Sequence, residues 1–286
     1  MRAPKAPVGA HVSVAGGLHR CLPRADAIGA EVIQVFVANT RAWALPAADP
    51  DGDAQFRVSC SGRDVPVFVH APYLINFGSP SAETLARSCS ALAFSLRRAA
   101  AVGAAGVVLH AGSAVLGNGW GTAMSQVREH VLPVLDAAAG APPLLVEPTA
   151  GGGGALASDA ASLAAYLDAL GRDERVGVCL DTCHMHAAGH DLSTRTGFTA
   201  ALRAYGRAAG RGGIGLVHAN DSRDPAGSKR DRHASIGTGS IGLDPFTALF
   251  TSPVTRSVPM VVETLDTQQA ADVATLKKLR AAADGR

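Results

Sequence analysis

The sequence predicts a single α/β barrel of the TIM type, (β/α)8, with its functional site at the C-terminal rim, and three observations carry that reading. Eight short, β-rich runs of continuous apolar residues recur along the 286-residue chain, and strands buried on both faces need such runs rather than alternation. Stretches rich in Ala, Leu and Arg at helical spacing separate them, so strand and helix alternate as in a parallel sheet. From the third strand onward each run ends in His, Asp or Glu, and a closed barrel gathers such ends on one rim.

The elements follow in order. Residues 8–13 form the first strand and 18–28 the first helix. The second strand is 32–37, and the less regular stretch 38–63 leaves its helix undefined. Strand 66–70 leads to helix 82–102, strand 106–110 to helix 121–139, and strand 144–147 to helix 159–170. The glycine run at 151–154 reads as a flexible loop between the last pair. Strand 176–181 precedes helix 197–209. Strand 214–218 precedes a long, polar, Gly-rich loop at 221–244 and a short helix near 245–250. Strand 259–263 and helix 268–283 complete the pattern. An open doubly wound sheet is the other common solution, but no G-x-G-x-x-G turn follows the first strand. No Pro-, Ser- or charge-rich linker divides the chain. One domain over 1–286 is expected, with 1–7 as a short N-terminal tail.

Composition narrows the class. With 47% apolar and 17% charged residues the chain can bury a large core and is not disordered. A net charge of +2 permits a local basic patch for nucleic acid without demanding one. The five cysteines are odd in number and contain no C-x-x-C pair, which argues against a disulfide framework and for a reducing compartment. No apolar core of a signal peptide follows Met1, and no run approaches the ~20 residues of a membrane span. A cytoplasmic protein without a membrane partner is expected.

The chemistry lies at the strand ends. His70, His110, Glu147, Asp181, His218 and Glu263 close the third to eighth strands, at separations of 40, 37, 34, 37 and 45 residues, about one strand–helix unit each. Any one of them could simply mark an exit to solvent. Six in register would crowd carboxylates and imidazoles at a large cost in desolvation and repulsion, which bound cations remove. Nitrogen and oxygen donors suit zinc or manganese. His184 in D-T-C-H, with Asp231 and His233 in R-D-R-H on the long loop, extends the set to nine. Nine donors are too many for one tetrahedral ion and suit two or three. His11 lines the rim without a ligand role. His19, His130, His186 and His190 default to surface or helix positions, and Cys183 to a buried structural thiol.

The motifs G-A-H-V-S-V-A-G-G-L (9–18), Y-L-I-N-F-G (73–78), V-C-L-D-T-C-H (178–184), H-A-N-D-S (218–222), K-R-D-R-H (229–233) and V-V-E-T (261–264) resemble, in order, the signatures of the endonuclease IV family. The resemblance implies a barrel carrying three zinc ions, with manganese admissible at one site. It implies a monomeric DNA repair enzyme that incises duplex DNA on the 5′ side of abasic sites, leaves a 3′-hydroxyl and also clears blocked 3′ ends. It assigns His70, His110 and Glu147 to the first ion. Asp181, His218 and Glu263 go to the second, with Glu147 as catalytic bridge, and His184, Asp231 and His233 to the third. Such ions acidify a bridging water and stabilise the leaving oxygen. Arg41, Trp43, Tyr73 and Leu74 are similar to the residues with which the family enters the minor groove and wedges the duplex. Ala38, Ala42, Pro148 and Thr238 depart from the family pattern and bear on substrate recognition. The rival reading is a metal-dependent sugar isomerase or epimerase on a related barrel, which has no need of Asp231 and His233. A non-catalytic metal-binding barrel is a third, disfavoured because an open metal cluster is expensive without function.

Overall fold

The computed structural model describes residues 5–115 and 117–285. The barrel strands are β1 (Val8–His11), β2 (Ile33–Phe36), β3 (Val67–His70), β4 (Gly106–His110), β5 (Leu144–Glu147), β6 (Val176–Asp181), β7 (Ile214–His218) and β10 (Met260–Val262). They pair in parallel in the order β1-β10-β7-β6-β5-β4-β3-β2, and the β1–β2 pairing closes the ring. Within the long loop after β7, β8 (Asp221–Ser222) and β9 (His233–Ala234) form a small antiparallel ribbon. Of the tail expected over 1–7, residues 1–4 lie outside the described residues. Ala6 is buried, and the Pro7 carbonyl accepts from the Met260 N–H, so these two residues belong to the packed barrel.

Seven of the nine described α-helices fall close to the expected positions: α1 (Cys21–Ile28), α3 (Ala82–Val102), α4 (Trp120–Ala137), α5 (Ala160–Ala169), α7 (Arg195–Ala209), α8 (Thr247–Thr251) and α9 (Asp266–Asp284); an eighth, α2 (Pro50–Ser61), lies in the stretch whose helix the sequence leaves undefined. Capping explains their starts. Ser81 Oγ accepts from the Thr84 N–H ahead of α3, and Thr194 Oγ1 from the Gly197 N–H ahead of α7. The helix undefined by sequence within 38–63 is α2, begun by the Asp49 side chain and by Pro50 in its first turn. The ninth helix, α6 (Thr182–Ala188), has no counterpart among the expected elements. Asp181 Oδ1 accepts from the His184 N–H and starts it directly off β6.

Alternation along each strand then decides what points inward. Val32, Phe68, Val108, Leu145, Cys179, Leu216 and Val261 form a cluster of their own, separate from the larger core that the outward-facing strand residues share with the helices. This cluster is the barrel's interior plug. Two residues beyond Phe68, Val108, Leu145, Cys179, Leu216 and Val261 stand His70, His110, Glu147, Asp181, His218 and Glu263. A period of two puts each of the six one layer above the plug, facing the axis. On β7 this needs a correction of phase. Val178 pairs with Ile214 but Cys179 with Leu216, so Gly215 is an extra residue, and the bulge turns Leu216 and His218 inward. Glycine suits the position, because a Cβ on Gly215 would lie 2.7 Å from Leu145 Cδ2 and displace that side chain in the plug. No described helix is long and apolar enough to cross a membrane.

Candidate metal centre

Glu147 sits at the middle of the rim and is fully buried. Its Oε2 lies 3.3 Å from His70 Nε2 and 3.3 Å from His110 Nε2. Its Oε1 lies 3.0 Å from His218 Nδ1 and 3.3 Å from His184 Nδ1. His218 Nδ1 is also 3.2 Å from Glu263 Oε2 and 3.9 Å from Asp181 Oδ2. On the far side, Asp231 reaches His184 Nε2 at 3.1 Å and His233 Nε2 at 2.9 Å. His233 Nε2 stands 3.5 Å from Asp181 Oδ2. The structure therefore brings all nine candidate ligands together. Donor atoms mutually within 4.8 Å include the sets His70–His110–Glu147, Glu147–Asp181–His218–Glu263 and His184–Asp231–His233. Each could hold a cation.

Orienting contacts fix which ring nitrogens face inward. His70 Nδ1 donates to the Ala71 carbonyl at 2.7 Å, leaving Nε2 toward Glu147. His184 Nδ1 donates to the Pro148 carbonyl at 3.0 Å, leaving Nε2 toward Asp231. Gln34 Nε2 donates to Glu263 Oε1 at 2.8 Å, so its Oε1 faces His218 Nε2 at 2.9 Å and accepts from it. His218 thereby presents Nδ1. Asn220 Nδ2 donates to Asp181 Oδ2 at 2.7 Å and to Glu263 Oε2 at 3.2 Å. Gln34 and Asn220 are candidate orienting residues that the sequence does not reveal. The available signal was a lone amide at an inward position of an apolar strand for Gln34, and the register of H-A-N for Asn220.

The electrostatics fit a cation-binding site. Burial would raise the Glu147 carboxyl, but His218, His110 and His184 hold it well below the usual range. Burial likewise opposes Glu263 and Asp231, yet His218 chiefly lowers the first, and His184 and His233 the second. The imidazoles respond in the opposite sense. Against burial, Asp181 and Asp231 push His233 up to about 9, carboxylates raise His184 well above the ordinary value, and Cys179 with Glu263 and Glu147 does the same for His218. His70 is the exception, lowered chiefly by burial. Protons shared among these groups play the part that metal cations would take. Glu147 Oε2 and His233 Nε2 are buried, and the groups close to them do not meet them with hydrogen-bond geometry, a need that a coordinated ion would satisfy. Cys179 and Cys183 approach two of the clusters, but burial pushes both thiols up to about 12. They remain neutral packing residues.

The candidate DNA-reading residues lie on two neighbouring loops. Arg41 is exposed and Trp43 half-buried against the core on the β2–α2 loop. Tyr73, 51% exposed, and half-buried Leu74 lie on the β3–α3 loop. The Tyr73 ring is 5.2 Å from the rings of both His70 and His110, above the first set. His186 lies in helix α6 and is buried there, with Nδ1 accepting from the Leu192 N–H and Nε2 beside Ser240 Oγ. Thr238 is exposed and bonds to the Ser235 carbonyl. A cavity of about 890 Å³ lies away from the metal sets, between the loops after β1 and β2 and helix α2.

This barrel with its ringed rim falls in a known class: a sequence profile of the xylose isomerase-like TIM barrels matches residues 22–284. Within that class the chain is 51% identical to the probable endonuclease 4 of Streptomyces coelicolor, over 97% of this chain and 96% of that protein. Endonuclease IV from Thermus thermophilus superposes with a TM-score of 0.84 at 32% identity, covering 96% of this chain and 98% of that one. The chain belongs to the endonuclease IV family. An L-ribulose 3-epimerase also superposes, at a TM-score of 0.67 over 98% of this chain and 97% of that one, but at 19% identity this is a likeness of fold alone.

Proposed function

We propose that this chain is a zinc-dependent endonuclease that incises duplex DNA on the 5′ side of abasic sites, leaves a 3′-hydroxyl and clears blocked 3′ ends. It acts as a cytoplasmic monomer of one barrel domain. Family membership supports the reading, and the observation that carries it is the third donor set. His184, Asp231 and His233 converge from α6 and the long β7–β10 loop, and a sugar isomerase or epimerase has no use for them.

His70, His110 and Glu147 would hold one zinc ion. Asp181, His218 and Glu263 would hold a second, shared through Glu147, and His184, Asp231 and His233 a third, with manganese admissible at one site. When bound, the ions neutralise the phosphodiester, acidify the attacking water and stabilise the leaving oxygen. The protein supplies the arrangement. Glu147 ties two sets together, Gln34 and Asn220 orient their donors, and the hydrogen bonds of His70 and His184 fix the tautomers. Arg41 and Tyr73 with Leu74 hold the duplex above the rim, and Trp43 anchors the loop that presents Arg41.

The test is incision of a duplex carrying one abasic site, by protein as purified, after chelation and after zinc is restored, with elemental analysis alongside. Incision that chelation abolishes and zinc recovers, at about three ions per chain, is the expected result. A single ion per chain, or metal-loaded protein inert on abasic duplex, overturns it.

A further inference from the structure

One imidazole of the rim has a donor with nothing to bond. His11 ends β1, and its side chain is 10% exposed. The ring tilts against Phe36 at 4.3 Å between centroids and stacks on His70 at 6.1 Å. Its backbone carbonyl accepts from Gln269 Nε2. The ring is thus held in one orientation from several sides.

Its tautomer follows from Gln34. One N–H of the Gln34 amide donates to Glu263 Oε1, and the other faces His11 Nδ1 at 2.9 Å. Flipping the amide would set its oxygen against the Glu263 carboxylate and its nitrogen against His218 Nε2, so this orientation is fixed. His11 Nδ1 also stands 3.3 Å from Glu263 Oε1, but a proton on it would point against the nearer Gln34 N–H, so Nδ1 accepts and the proton sits on Nε2. That atom is buried and has no hydrogen-bond partner among the described residues, a costly state for a donor unless a ligand completes it.

His11 borders a cavity of about 540 Å³ beside the metal sets. Phe36 and Tyr73 give it aromatic walls, and its described imidazole and charged lining residues are His11, His233, Glu263 and Asp266, with no Lys or Arg. Aromatic walls flanked by polar groups suit a neutral, oxygen-bearing ring. We propose that His11 is a substrate-contacting specificity residue whose Nε2–H donates to an oxygen of the abasic deoxyribose. The proposal rests on the endonuclease reading above and deepens it.

The test compares His11→Ala and His11→Gln with the unaltered protein. Glutamine places an amide N–H close to where the imidazole Nε2–H lies. Two substrates are used, a duplex with a natural abasic deoxyribose and bis(p-nitrophenyl) phosphate, a diester without a sugar. The readouts are kcat and KM on each, and metal content. In His11→Ala the ratio of kcat/KM on duplex to that on the small diester falls by about tenfold, the scale of one neutral hydrogen bond. His11→Gln recovers most of it, and both variants keep their metal. An unchanged ratio, from equal losses or from none, overturns the assignment, and so does loss of metal from His11→Ala, which would make His11 a prop for Glu263. Failure of the unaltered, metal-loaded protein to cut the abasic duplex removes instead the reading beneath it.

Discussion

Replacing Glu147 by glutamine is the sharpest perturbation the structure offers, because the side chain keeps its shape and loses only its charge. The carboxylate stands 3.0–3.3 Å from nitrogens of His70, His110, His184 and His218, and it belongs to two of the three donor sets. A unit charge about 3.3 Å from another contributes on the order of 5 kcal/mol at an effective dielectric constant of about 20. An amide dipole returns only a fraction of that. The loss falls on any cation held by His70 and His110 and again on any held by Asp181, His218 and Glu263. Five kilocalories correspond to roughly three to four powers of ten in occupancy or rate.

The fold has no reason to follow. The layer beneath Glu147 is the apolar plug of Phe68, Val108, Leu145 and their neighbours, which needs no charge above it. Glu147→Gln should therefore give a normal circular dichroism spectrum and a cooperative unfolding transition. Metal content should fall, or incision of an abasic duplex should drop by three orders of magnitude or more. A folded variant with its full complement of metal and turnover within tenfold of the parent would refute the argument. Glu147 would then not lie between two cations, and the catalytic centre would have to be sought elsewhere on the rim.

Three other outcomes follow. Arg41→Ala and Tyr73→Ala should each weaken binding of abasic duplex by about 1–3 kcal/mol and spare turnover of a small activated diester; equal losses on both substrates would make them supports of the metal sets. Burial opposes ionisation of Glu31, but Arg280, the Val8 N–H and Lys277 hold its carboxyl down at about 2. A folded value below the unfolded one stabilises the protein at neutral pH, and that contribution is lost as pH falls from about 4.5 toward 2. Since the side chain is 37% exposed, Glu31→Gln should cost only about 1 kcal/mol at pH 7, and denaturant titrations should show the gap narrowing as pH falls toward 2. The Asp221 carboxylate accepts from the N–H groups of Ser222, Gly237, Gly239, Ile241 and Gly242, so Asp221→Ala should destabilise the long loop by about 3 kcal/mol and release the ion assigned to His184, Asp231 and His233 first, as elemental analysis would register.

The barrel was legible because its strands are buried on both faces. Their apolar runs need no alternation and stand out from the helices between them. What stayed hidden is local. The segment T-C-H-M-H-A-A carries no helical apolar pattern, so α6 is invisible until Asp181 is seen capping it. The run I-G-L-V-H reads the same with or without a bulge, yet without the extra residue at Gly215 the His218 ring would face the helices instead of Glu147. A one-residue change of phase leaves no mark on hydrophobicity.

The same distinction separates the two kinds of residue in the site. A candidate ligand announces itself by type, since His, Asp and Glu are rare at the ends of buried strands and their spacing repeats with the barrel unit. An orienting residue is defined only by what it touches. Gln34 joins His11, His218 and Glu263, which lie 23, 184 and 229 residues away in sequence. Asn220 joins Asp181 and Glu263 across 39 and 43. Neither amide could hold a cation better than the groups around it. Each instead settles which atom of a neighbour faces the axis: Gln34 leaves His218 Nδ1 free toward Glu147, and Asn220 occupies one oxygen each of Asp181 and Glu263. Nine candidate ligands of three residue types therefore specify in sequence that a metal centre can form, while amides that only the closed barrel brings within reach set which of their atoms face the axis.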